Sequence, residues 1–171
     1  MESLDKPLVN RVAQSGLITI DLETFVMPVD YAHFDLKDYL YQGLVLREKE
    51  FRERLKEVDW STFAGKSLLV YCSTDAIVPS WAYMLVAAQA SPHAREVFFG
   101  SEAEHREAQI LRSIDRLDVS AYDDARVVVK GCAKERVPER AYVELLTRLQ
   151  PVVRSLMFGE PCSTVPVYKR R

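Results

Sequence analysis

The sequence predicts a single α/β domain: a mostly parallel sheet with helices on its faces, built from two αβαβ repeats offset by 59 residues. Three observations predict it. Sliding the chain on itself by 59 residues lays 47–102 over 106–161 with 13 of 56 positions identical, where roughly 6% chance identity would give about 3 to 4. Each copy alternates amphipathic segments with short, wholly apolar ones, and crossovers of that length join parallel strands. Finally, 171 residues, 48% hydrophobic and 28% charged, are the proportions of one globular domain able to bury a core without staples.

The elements follow in order. Residues 1–45 hold an N-terminal strand, Gly16-Leu-Ile-Thr-Ile-Asp21, and an aromatic, acidic stretch from Phe25 to Gly43 that lacks a clear period and reads as a loop plus a short helix. Repeat 1 spans 46–102 and repeat 2 spans 105–161. Leu46, Phe51, Leu55 and Val58 recur at helical spacing, answered by Ile110, Ile114 and Leu117. The runs SLLVYC and RVVVKGC then read as strands buried on both faces. Val-Pro-x-x-Ala-Tyr opens the next helix in each copy, 79–90 and 138–149, because proline at a first helical turn has no amide hydrogen to lose. Pro92 and Pro151 end these helices, and EVFFG and SLMFG supply the second strands. Residues 162–171 form a C-terminal strand or tail, with 164–168 an edge strand that tolerates Pro166.

Composition narrows the function classes. A net charge of -2 gives no attraction to phosphate, which argues against nucleic acid. The longest apolar run, Trp81 to Ala88, falls short of the roughly 20 residues that cross a bilayer. The acidic N-terminus shows no apolar leader, so the cytoplasm is expected, and three cysteines there are thiols or ligands, not a disulfide.

Open parallel sheets place ligands beyond the carboxyl ends of their strands. Cys72, Cys132 and Cys162 all fall there. Soft thiolates select zinc or an iron–sulfur cluster, with Asp75, Glu135 and His33 as candidate additional ligands. The same positions also suit a thiol nucleophile, since Cys72 and Cys132 each precede a helix, or three small packing residues. No Cys-x-x-Cys is present, and the three are not repeat equivalents: Cys72 aligns with Gly131. His33, His93 and His105 read as exposed or capping residues, His33 having the strongest claim to a site. Tyr83 and Tyr142 read as sheet-packing residues, and Trp60 and Trp81 as core or rim anchors. Ala64-Gly65-Lys66-Ser67 ends like a phosphate loop but lacks the first glycine and precedes a strand, so it is rejected. In a noncatalytic alternative, Tyr31, Phe34, Tyr39 and Tyr41 form an aromatic surface that docks a partner protein or a second copy of the chain.

The segments YCSTDAIVPSWAYMLV, KGCAKERVPERAYVELL and SLMFGEPCSTVPVYKRR resemble an uncharacterised bacterial family, domain of unknown function 2480, over nearly the whole chain. No activity carries over from that resemblance. It implies a cluster-binding or sulfur-handling accessory role with iron–sulfur assembly proteins as partners, because family members are encoded near such components.

Overall fold

The computed structural model describes residues 16–131 and 137–171. Its strands and α-helices alternate as β1 Leu17–Asp21, β2 Tyr31–Asp35, α1 Glu48–Lys56, β3 Ser67–Tyr71, α2 Ser80–Ala90, β4 Glu96–Phe99, α3 Glu102–Asp115, β5 Arg126–Lys130, α4 Glu139–Leu149, β6 Ser155–Glu160 and β7 Ser163–Lys169. They form two compact units. One is 27–106; the other comprises the described residues of 1–26 with 107–171. Helices and strands alternate and the pairing is mostly parallel, as the repeat requires. Each unit holds its own sheet and most of one copy of the repeat.

In the 27–106 unit the order is β2-β3-β4, all parallel. Strand β3 is buried from Ser67 through Val70, the continuous apolar run of a strand covered on both faces. Phe51 and Leu55 of α1 and Ala82, Val86 and Ala90 of α2 pack with Phe34, Leu36, Trp60, Leu68 and Val70. In the other unit the order is β1-β5-β6-β7, with β7 antiparallel at the edge. Its core joins Ile20 and Leu22 to Ile110, Ile114, Val127, Val129, Ala141, Leu145 and Leu149.

The repeated residues repeat their physics. Asp59 and Asp118 each open a 3-10 turn by accepting from the backbone N–H and hydroxyl of Ser61 and Ser120. Pro79 and Pro138 cap α2 and α4 with nearly equal backbone angles, φ/ψ -64/141 and -62/142. Ala82 and Ala141 are fully buried, where only a small side chain lets helix approach sheet.

The segment from Phe25 to Gly43 departs from the expected loop, while its short helix is present as a 3-10 turn. It contains β2, followed by a 3-10 turn at Leu36–Tyr39. Strands β1 and β2 both end in Asp-Leu, where Asp21 and Asp35 accept from the N–H two residues on and Leu22 and Leu36 are fully buried.

Candidate functional site

The carboxyl ends of β2, β3 and β4 frame an open pocket of about 400 Å³, lined by His33, Tyr71, Cys72, Tyr83, Phe99 and the Gly100–Glu104 turn. All of these lie within the 27–106 unit. Parallel pairing brings them together: His33 aligns with Leu69, and Asp35 with Tyr71, one residue short of Cys72. Asp35 then fixes the chain beyond the thiol. Its Oδ1 accepts from the backbone N–H groups of Ser73 and Lys37, both at 3.0 Å. Burial pushes the Asp35 carboxyl up, but these hydrogen bonds outweigh it and hold it below the ordinary range. Asp35 is therefore an anion that clamps the Cys72 turn.

Cys72 is partly exposed, its Sγ 3.4 Å from Thr74 Oγ1 and 3.6 Å from the Thr74 carbonyl oxygen. Tyr83, from the first turn of α2, stands edge-on to Phe99 with centroids 4.9 Å apart. Burial, with the neighbouring Cys72 and Asp35, raises the Tyr83 phenol above its usual value, so it remains a neutral donor. At the rim, His33 Nε2 is 3.4 Å from Glu102 Oε1, and its ring meets Tyr71 edge-on. Gly100 turns the chain into α3 at φ +131, and a Cβ there would lie 2.7 Å from Glu104 Oε2. Glu104 caps α3 by accepting from the Ser101 N–H at 2.7 Å and the Ser101 hydroxyl at 2.8 Å. These bonds hold its carboxyl below the ordinary range.

The second copy uses the equivalent tyrosine differently. In the other unit Tyr142, the equivalent of Tyr83, donates its hydroxyl to the Gly131 carbonyl oxygen at 2.8 Å and packs edge-on against Phe158. A Cβ on Gly131 would meet Leu22, Val137 and the Tyr142 hydroxyl, each at 3.1 Å. There the tyrosine hydroxyl is held by the backbone just past β5. At the equivalent position of the first copy stands Cys72, and the Tyr83 hydroxyl makes no hydrogen bond among the described residues.

A family model described as a protein of unknown function (DUF2480) matches residues 6–170. The chain belongs to that family. No curated protein and no solved structure matches it.

Cys132 and Glu135 lie outside the described residues. Cys162 is exposed and belongs to the other unit than Cys72 does. Asp75 is exposed in the loop after Cys72, and among the described residues no group of three or more His, Cys, Asp or Glu side chains is placed to hold a metal ion. Of the four aromatics expected on a docking surface, Phe34 is buried and stacks with Tyr39 and Trp60, so both tyrosine and phenylalanine serve the core. Tyr31 pairs with His105, and only Tyr41 is exposed, beneath the Arg47 guanidinium.

His105 also departs from expectation. It is fully buried, with Nε2 2.9 Å from Glu96 Oε2 and Nδ1 3.0 Å from the Tyr31 hydroxyl. The polar helix sequence around it conceals this, because its partners come from β2 and β4. Tyr83 reads from the sequence only as a packing residue; the available signal was the repeat, which aligns the two tyrosines with each other but Cys72 with Gly131. No helix in the described residues is long and apolar enough to cross a membrane.

Proposed function

We propose that the protein is a thiol-based accessory protein, whose working site is the Cys72 pocket and whose second copy is scaffold. The observation that carries this reading is the pocket itself: at the β3 end the partly exposed Cys72 thiol and the Tyr83 hydroxyl, which makes no hydrogen bond among the described residues, line one cavity with Tyr71 and Phe99, whereas the equivalent Tyr142 hydroxyl donates to the Gly131 carbonyl oxygen. Because Tyr142 spends its hydroxyl on a backbone carbonyl and Tyr83 does not, the Tyr83 hydroxyl is left for a ligand in the pocket. Cys72 supplies the nucleophile or soft ligand atom, and Tyr83 donates to a polar atom bound beside it. The aromatic walls cover the ligand's apolar part. A free thiol needs a reducing compartment, which favours the cytoplasm, and iron–sulfur assembly proteins are partners compatible with this chemistry.

Alkylation of native protein with an iodoacetamide concentration series, resolved by peptide mass mapping, tests the reading. Cys72 is expected to react through a saturable complex, and the exposed Cys162 linearly. A linear Cys72 rate no higher than in the denaturant-unfolded chain overturns it. Zinc or iron retained in protein purified without air, and lost with both Cys72→Ser and Cys132→Ser, would instead support shared ligation by the cysteines.

A further inference from the structure

Resting on that reading, we propose that the Cys72 pocket selects thiol-reactive small molecules that carry a positive charge, with ammonium-bearing disulfides as the class that fits. Its lining contains two carboxylates, Glu102 and Glu104, and neither lysine nor arginine. Glu104 is kept ionised by its two hydrogen bonds from Ser101. Glu102 is half-exposed at the rim, its Oε1 3.4 Å from His33 Nε2. The Asp35 carboxylate lies just behind the Cys72 turn. An entering anion would meet like charge from three carboxylates, whereas a cation would be drawn inward.

The walls favour the same ligand. Phe99 is 67% exposed, and with Tyr71 and Tyr83 it gives the pocket three aromatic rings. Aromatic faces beside a carboxylate attract organic ammonium groups through the ring quadrupole. The volume of about 400 Å³ admits a chain of several heavy atoms joined to the Cys72 sulfur. In the exchange, the Cys72 thiolate attacks one sulfur of R–S–S–R. A Cys72–S–S–R bond forms, the original S–S bond breaks, and RS⁻ leaves with the electron pair and takes up the proton lost by Cys72. One thiol is thus oxidised to the mixed disulfide as another is released.

Three disulfides test the proposal on the full-length protein: cationic cystamine, neutral 2-hydroxyethyl disulfide and anionic dithiodiglycolate. Cys72 rates are read by peptide mapping and normalised to a short cysteine peptide. At about 20 mM ionic strength cystamine should exceed dithiodiglycolate by about tenfold, and the ratio should shrink below about threefold at 0.5 M salt. Glu102→Gln should reduce the ratio several-fold, while His33→Gln, which frees Glu102 from its imidazole, should keep or widen it. Equal normalised rates, a preference for the anion, or an unchanged ratio in Glu102→Gln would overturn charge selection while leaving a saturable Cys72 reaction intact. Rates for all three that are linear and no faster than in the unfolded chain would overturn both this proposal and the reading beneath it.

Discussion

Replacing His105 with alanine should destabilise the 27–106 unit by about 3 to 4 kcal/mol. The imidazole is fully buried, bonded through both nitrogens, and in edge-on contact with Phe98 at 5.0 Å and with Tyr31 at 5.4 Å. Truncation removes both hydrogen bonds and leaves a cavity the size of a ring. Large-to-small changes at such positions cost about 2 to 5 kcal/mol, and partly exposed partners such as Glu96 recover some of the loss by hydration. Tyr31→Phe leaves the packing in place and removes the hydroxyl that meets Nδ1, so it should cost about 1 to 2 kcal/mol. Trp60 and Trp81 both belong to the 27–106 unit, so tryptophan fluorescence during urea unfolding reads this unit. A loss below about 1 kcal/mol for His105→Ala, or a larger loss for Tyr31→Phe than for His105→Ala, would refute the reasoning.

Two further outcomes follow from the caps and closures. Glu104→Ala should cost about 0.5 to 1 kcal/mol, its exposure limiting the effect, and local loss is read by hydrogen exchange at the Ser101 amide. Because the folded carboxyl titrates below its unfolded value, its contribution is present above the unfolded pKa and lost as pH falls through the folded one. The gap between wild type and Glu104→Ala should therefore narrow as the pH is lowered into the acidic range, and a gap that widens there would contradict the assignment. Tyr142→Phe removes the donor that closes on the Gly131 carbonyl, so it should lower stability by about 1 kcal/mol. It should leave Cys72 alkylation unchanged, and altered Cys72 kinetics would count against assigning Tyr142 to scaffold.

Most of the helices and strands were legible because the repeat doubled each weak signal. Val-Pro-x-x-Ala-Tyr marks a helix start twice, and Asp-x-Ser marks a 3-10 turn twice. Strand β2 escaped for a physical reason. Its counterpart is β1, only 14 residues earlier, since Asp21 and Asp35 correspond, so a shift of 59 never superposes them. The shared pattern of an apolar residue followed by Asp-Leu was the readable clue. His105 was hidden for another reason: EAEHREAQ is an ordinary exposed-helix sequence, and burial there depends on Tyr31 and Glu96, which are distant in the chain. The candidate site was half legible. Strand-end logic found Cys72, and His33 entered only as the histidine with the strongest claim to a site; the same logic treated three cysteines alike, although only a fold can distinguish a pocketed thiol from the exposed Cys162.

The account's central claim is that ligands reach Cys72 within its pocket. A crystal structure of the full-length protein reacted with 2-hydroxyethyl disulfide tests it directly. The expected product is a mixed disulfide on Cys72 whose hydroxyethyl arm lies between Tyr83 and Phe99, with Tyr83 donating to its oxygen or to the adjacent sulfur. An adduct confined to Cys162, or one on Cys72 that points away from the pocket into solvent, would contradict it.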